Sequence, residues 1–333
     1  MSNAIKFWII LALGLACGAC QTVEQKGGFL FVTFRGEATP MTEQVYFMRS
    51  EDARSWVALN EGEPVLVSTV GEQGVRDPFI HRKPDGSGFV LIATDLSINL
   101  NPDWDRAQTA ASQSIVLWES EDLINWSEPR LVTVAPNDAG NTWAPEIVYD
   151  PESESYMIFW ASRTGNDGFG KHRIWATMTE DFKSFGDPFV YIEKPDTVID
   201  TTIIRQGDSW YRFTKDEREK TITMETSSQL LQGWQDVDTF NLGELRGYEG
   251  PTAFVTEYNE DGTPKRWNLL LDWYAAGEGY QAYVTEDLAS GIFEPDTGMT
   301  FPFHPVRHGS VLALTPEEYE RLRNAGEFSV GEP

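Results

Sequence analysis

Five short segments of this chain each begin with a polar residue in a tight turn and run into an apolar strand. They are Arg76-Asp77-Pro78-Phe79-Ile80, Trp143-Ala144-Pro145-Glu146-Ile147, Ile199-Asp200-Thr201-Thr202-Ile203, Tyr248-Glu249-Gly250-Pro251-Thr252 and Arg307-His308-Gly309-Ser310-Val311. The polar residues Asp77, Glu146, Asp200, Glu249 and His308 stand 69, 54, 49 and 59 residues apart, counted along the chain. If each segment occupies the same place in a repeating unit, four carboxylates and one imidazole converge. Like charges confined in this way repel and raise one another's proton affinity, so such crowding points to chemistry more than to support. Two carboxyls of unequal pKa can cleave a glycosidic bond, one protonating the leaving oxygen and the other activating water. A third acid nearby can hold the proton donor protonated until it is needed. The plainer alternative is a channel filled by metal or water, without chemistry.

A second repeat shows which elements must position these residues. Ser50-Glu51-Asp52 leads to Trp56, Ser120-Glu121-Asp122 to Trp126, Thr179-Glu180-Asp181 to Phe185, Ser227-Ser228 to Trp234, and Thr285-Glu286-Asp287 to Phe293. Each unit reads as a strand ending in Ser or Thr, a turn, an aromatic and a new strand. Aromatic-rich runs follow four of the polar segments, at Phe89-Val90-Leu91-Ile92, Tyr156-Met157-Ile158-Phe159-Trp160, Trp210-Tyr211-Arg212-Phe213 and Trp267-Asn268-Leu269-Leu270-Leu271, and they read as hairpins. Five units of about four strands predict an all-β chain folded as a single-domain five-bladed β-propeller over residues 28–326. Two packed β-sandwiches are the alternative. Ring closure pairs Phe29-Leu30-Phe31-Val32 with strands near Phe301 and Val311, because unpaired end blades would expose sheet edges. The one helix the pattern predicts is short and C-terminal, after Thr315-Pro316-Glu317-Glu318; residues 327–333 are left as a tail.

The 333 residues carry 52 Asp and Glu against 26 Lys and Arg, a formal net charge of −26. A surface of that sign argues against nucleic acid and anionic lipid as partners. Most of the acids fall in the repeating turns, as at Glu51-Asp52 and Glu121-Asp122, and read as a solvated coat. The aromatics, 13% of the chain, suit half-buried strands and offer flat faces to sugar rings. Both cysteines, Cys17 and Cys20, lie near the start, which excludes a disulfide framework in the folded body. Lys6 followed by an apolar run from Phe7 to about Cys17 reads as a signal peptide over residues 1–19. Leu15-Ala16-Cys17-Gly18-Ala19-Cys20 resembles a lipoprotein signal, so the expectation is export, with a lipid anchor on Cys20 (or Cys17) and a tether over 20–27. Periplasmic location or secretion follows without the anchor.

The five polar segments, in their order and spacing, resemble glycoside hydrolase family 43, five-bladed propellers that hydrolyse arabinose- or xylose-containing glycans with inversion. The resemblance runs from Phe29 to about Leu322. It implies Asp77 as the general base, Glu249 as the general acid and Asp200 as the residue that tunes and orients the acid. It also implies that His308 contacts a calcium or sodium ion in the channel through water, although hydrolysis by two carboxyls requires no cofactor. Two departures stand out: Glu146 occupies a place where Asp is common, and Thr201 one where Pro is common. The extra methylene of Glu146 would reshape the first sugar subsite.

Read from their own surroundings, Trp143 can stack on a sugar, and Asp272, Arg307 and, more weakly, Asp95 can bind hydroxyls. The polar stretch from Ser97 to Ser112, containing Asn99, Asp103, Trp104 and Arg106, is an insert that can wall the channel into a pocket. These features predict an exo-acting, inverting glycosidase on an oligo- or polysaccharide, with α-L-arabinofuranose as the first candidate and β-D-xylose or galactofuranose as alternatives. A noncatalytic glycan-binding propeller is the rival; it would not need a complete set of acid, base and modulator.

Overall fold

The computed structural model describes residues 27–331. The signal segment over 1–19, both cysteines and the tether up to residue 26 lie outside the described residues, as do 332 and 333.

Five inner strands surround the channel: Val75–Arg82, Trp143–Asp150, Val198–Gln206, Glu249–Tyr258 and Gly309–Leu314. Each opens one of five sheets, taken here as blades one to five, and each packs against the inner strands on both sides, the fifth against the first. The chain is the all-β, five-bladed propeller expected from its repeats, and the two-sandwich alternative falls. Middle strands such as Phe89–Asp95 and Ser155–Ser162 are buried along their whole length, because both faces of a blade are covered by its neighbours. The apolar clusters accordingly lie between blades. Ile92 and Leu117 meet Ile158 and Trp160, Phe159 meets Trp210, Phe213 meets Trp267, and Leu270 meets Phe31.

The fifth blade closes the ring with both ends of the chain. Gly28–Thr33 lies between Gly309–Leu314 and Tyr46–Ser50, with Phe29 opposite Ala313 and Phe31 opposite Val311. The expected pairing near Val311 is present, whereas Phe301 packs edge-on against Phe31 at 6.0 Å without pairing. Beyond Phe328 the tail is not merely a tail: Ser329–Val330 pairs with Asn125–Trp126 and covers the outer edge of the first blade.

The repeating turns are built from side-chain bonds to backbone. Ser120 Oγ accepts from the Leu123 N–H at 2.9 Å, and Asp122 Oδ1 accepts from the N–H groups of Ile124 and Asn125 at 2.9 and 2.8 Å. Asp52 and Asp181 make the same pair of bonds in their blades. The next residue in each turn, Ala53, Leu123 or Phe182, is buried and left-handed, with φ of 60°, 70° and 56°, a conformation that needs such support. These aspartates therefore hold the turns and are more than a coat. Asp122→Ala should lower the unfolding free energy by about 1–2 kcal/mol, read from the urea midpoint; an unchanged midpoint would show that water replaces the bonds without loss.

The expected C-terminal helix spans Pro316–Asn324, closed by a Thr315–Glu318 capping box and seated on Tyr319 and Leu322. A second helix, Trp104–Thr109, forms inside the Ser97–Ser112 insert and is capped by Asp103. Its six residues are too few for helical periodicity to show. The insert is pinned from beneath by the fully buried Glu43, which accepts from Ser97 Oγ and from the N–H groups of Ile98 and Asn99.

Candidate active site

Four inner strands share a device that turns side chains into the channel. Strand pairing slips at one residue in each, and that residue is left-handed: Asp77 (φ 50°), Ala144 (48°), Asp200 (48°) and Gly250 (55°). Such a bulge re-aims the side chains beside it. Three of the four are not glycine, so about 1–2 kcal/mol of strain at each is held by the surrounding fold.

The bulges also fix which residues are equivalent. Ala144, not Glu146, matches Asp77 and Asp200, and Glu249 stands one place before its bulge. The five expected positions therefore do not lie in one ring. Asp77, Asp200, Glu249 and His308 line one cavity with Arg76, Thr94, Leu96, Trp104, Trp143 and Ile199. Glu146, two residues further along its strand, is buried and does not line that cavity.

Asp77 is held as a carboxylate. Thr94 donates to its Oδ2 at 2.9 Å, and His308 Nδ1 lies 3.4 Å from Oδ1. Burial pushes Asp77 upward, but the His308 bond and charge, with Arg76 and Thr94, bring it below the usual carboxylate range. The same Thr94 hydroxyl accepts from the Ala144 N–H at 2.8 Å and so ties the first blade to the second.

Asp200 sits differently. Its Oδ2 accepts from the Gly250 N–H at 3.0 Å, the amide directly after Glu249. Burial pushes its carboxyl up to about 6, against the pull of His308 and Lys215. Glu249 is gripped from two sides: Lys215 donates to Oε2 at 2.8 Å and Arg307 to Oε1 at 2.9 Å. Arg307 reaches past it to the fully buried Asp272 at 2.6 Å, the residue opposite Glu249 in the strand pair. Burial pushes Asp272 up to about 6, opposed first by Arg307.

Arg307 and Asp272 thus stand behind Glu249 as its support and do not line the cavity. Asp95 is also off the cavity. It is buried under the loop before the first inner strand, where it accepts from the Glu72 N–H at 2.8 Å. Trp143 does line the cavity, lying 5.0 Å from the His172 ring and meeting Trp104 edge-on at 6.3 Å. Lys215 went unnoticed in the sequence, although a lysine ending the apolar run Trp210-Tyr211-Arg212-Phe213 is itself a signal: it is nearly fully buried, and its ammonium also meets Glu217 at 2.8 Å and faces the Tyr274 ring at 4.5 Å.

Among the described residues no group of three or more His, Cys, Asp and Glu is gathered to hold a metal ion. His308 Nδ1 is turned to Asp77, and the buried Oε1 of Glu146 and Oδ1 of Asp272 have no hydrogen-bond partner.

Burial pushes Glu146 up to about 8, with His308 and a Thr202 bond pulling down. Burial lowers His308, but the Asp77 bond and the charges of Asp200, Asp77 and Glu146 raise it to about 9. Both groups hold their protons more tightly folded than unfolded. The stability that Glu146 lends is complete below its ordinary 4.5 and is lost as pH rises to about 8; that of His308 is complete below 6.5 and lost by about 9. Wild type should therefore lose stability relative to Glu146→Gln between pH 5 and 8, read as the difference in urea midpoints. Parallel curves would show that Glu146 ionises in the folded protein as it does in the unfolded chain.

A family model described as "Probable glycosyl hydrolase domain", of the group related to glycosyl hydrolase family 43, matches residues 24–320. A protein of Bifidobacterium longum subsp. longum named "Alpha-L-arabinofuranosidase" is 30% identical over 306 residues, covering 78% of this chain. The chain spans only 28% of that relative's length. Among solved structures, a sucrose-6-phosphate hydrolase from Lactobacillus gasseri matches with a TM-score of 0.51 at 12% identity, covering 74% of this chain and 50% of its own, a likeness of fold. A thermostable family-43 glycoside hydrolase gives a TM-score of 0.48 at 14% identity, covering 70% of this chain and 75% of its own. The matched span contains all five inner strands and every cavity residue, and the chain belongs to the glycosyl hydrolase family related to family 43.

Proposed function

We propose that the protein is an exo-acting, inverting glycoside hydrolase that releases a terminal sugar, α-L-arabinofuranose first among the candidates, from an oligo- or polysaccharide. The observation that carries this reading is one cavity faced by three carboxyls from three blades in unequal surroundings: Asp77 on the first, Asp200 on the third and Glu249 on the fourth. A binding propeller has no use for that inequality. Asp77, kept ionised, takes a proton from water as the oxygen attacks the anomeric carbon. The bond from that carbon to the glycosidic oxygen breaks with its electrons on the oxygen, and Glu249 supplies the proton. Asp200 steadies the acid through the amide of Gly250. The insert helix brings Trp104 against the cavity beside Asp77's blade, which supports removal of a chain end over cleavage within a chain.

The named activity of the 30% identical relative supports arabinofuranose as the first choice; β-D-xylose and galactofuranose remain the alternatives. The signal segment read at residues 1–19 would place the enzyme at the cell envelope. A panel of aryl α-L-arabinofuranoside, β-D-xyloside and β-D-galactofuranoside tests the reading. The expected result is fastest release from the arabinofuranoside, with the β anomer of arabinose appearing first by NMR. Sugar binding without turnover of any of the three would favour the binding propeller, and first appearance of the α anomer would show retention.

A further inference from the structure

We propose that Trp273, laid flat on Tyr248, is the platform on which the leaving-group sugar of the glycan stacks. The proposal rests on the hydrolase reading above and names the subsite on the far side of the broken bond. Trp273 and Tyr248 stack with ring centroids 5.5 Å apart and planes 9° from parallel. Tyr248 is buried, while Trp273 is 37% exposed, so one face of the indole is backed by a ring and surface remains open to solvent. Exposed tryptophan is uncommon, and this one is held in place by four backbone bonds. The Trp273 N–H donates to the Gly279 carbonyl at 2.9 Å, and the Trp273 carbonyl accepts from Ala276 and Glu278. Ala275 N–H donates to the Gly247 carbonyl at 3.2 Å, tying the loop to the segment that carries Tyr248.

Position identifies the occupant. Tyr248 directly precedes Glu249 and Trp273 directly follows Asp272, and Glu249 and Asp272 face each other in the strand pair. The platform therefore stands one step beyond the proton donor, on its own blade. In an inverting displacement water enters from the base and the leaving group departs toward the acid. The base side already has its wall in Trp104, whereas Trp273 lies outside the cavity lining, one residue beyond the Glu249–Asp272 pair. A flat, rigid aromatic face suits the apolar face of a sugar ring and loses little conformational freedom on binding. The ligand class is a neutral saccharide, consistent with a chain whose net charge is −26.

The test compares methyl α-L-arabinofuranoside, whose leaving group is too small to reach the indole, with an arabino-oligosaccharide bearing the same terminal sugar. Trp273→Ala should lower kcat/KM on the oligosaccharide by about 10- to 100-fold and leave the methyl glycoside within about twofold, with Trp273→Phe recovering most of the loss. Equal losses on both substrates, or none on either, would overturn the platform. Binding is followed in parallel on Glu249→Gln protein through the indole N–H resonance of Trp273. A shift with the oligosaccharide and not with the methyl glycoside supports the platform even if wild type hydrolyses neither, in which case the hydrolase reading alone falls. No shift with the oligosaccharide overturns it.

Discussion

Asp77→Asn should reduce kcat on the preferred glycoside by about 10³- to 10⁴-fold, while the protein keeps its fold. Asparagine has the shape of aspartate and can still meet the Thr94 hydroxyl, so the bulge and the tie to Ala144 remain. What is lost is the negative charge that, in the proposed mechanism, accepts the water proton. Because attack and proton removal occur together, the loss falls on kcat with KM little changed. Glu249→Gln provides the complement. A glycosidic oxygen that leaves as an alkoxide needs the proton from Glu249, whereas dinitrophenolate leaves without help. Glu249→Gln should therefore be slowed by about 10²- to 10⁴-fold on an oligosaccharide and far less on a dinitrophenyl glycoside, but Asp77→Asn should be slowed alike on both. Initial rates on the two substrates decide the matter. If the two variants show the same leaving-group dependence, the assignment of acid and base is wrong.

The second large effect is expected at Gly250. This residue combines a left-handed backbone, φ 55°, with close contact: a Cβ placed there would stand 2.7 Å from Cγ of His308. Alanine would therefore meet both the backbone penalty and overpacking, together about 2–4 kcal/mol. The imidazole is the group that must yield, and with it goes the contact that keeps Asp77 charged. The same shift would disturb the Gly250 N–H that Asp200 accepts. Gly250→Ala should lose at least about 10²-fold in kcat as well as stability, whereas Gly207→Ala, at a left-handed glycine with no atom near its would-be Cβ, should lose about 1 kcal/mol and no activity. Urea unfolding and initial rates separate the two; retention of full activity by Gly250→Ala would show that the His308 contact with Asp77 is dispensable.

Much of the architecture was legible because its causes are local. Strand runs such as Tyr156-Met157-Ile158-Phe159-Trp160 are marked by residue type, and the Ser/Thr-x-Asp turns recur because each has to satisfy backbone N–H groups within four or five residues. The capping box at Thr315 and Glu318 is equally local. The short insert helix and the Ser329–Val330 strand were not legible, since one is too brief for a period to appear and the other exists only by pairing with a strand about 200 residues earlier.

For the site, the sequence by itself determined the residue types and their order: Asp77, Asp200, Glu249 and His308 recur at blade spacing and meet at one cavity. Only the tertiary structure decided depth and partnership. Whether Glu146 joins that cavity depends on the bulge at Ala144, which shifts the register of its strand by one residue and re-aims the side chains beside it. That Lys215 and Arg307 grip Glu249, while Asp272 and Asp95 turn away from the cavity, follows from side chains that lie 34, 58, 35 and 23 residues from their partners. Charges act through space and burial, and neither distance nor burial is a property of any one stretch of chain.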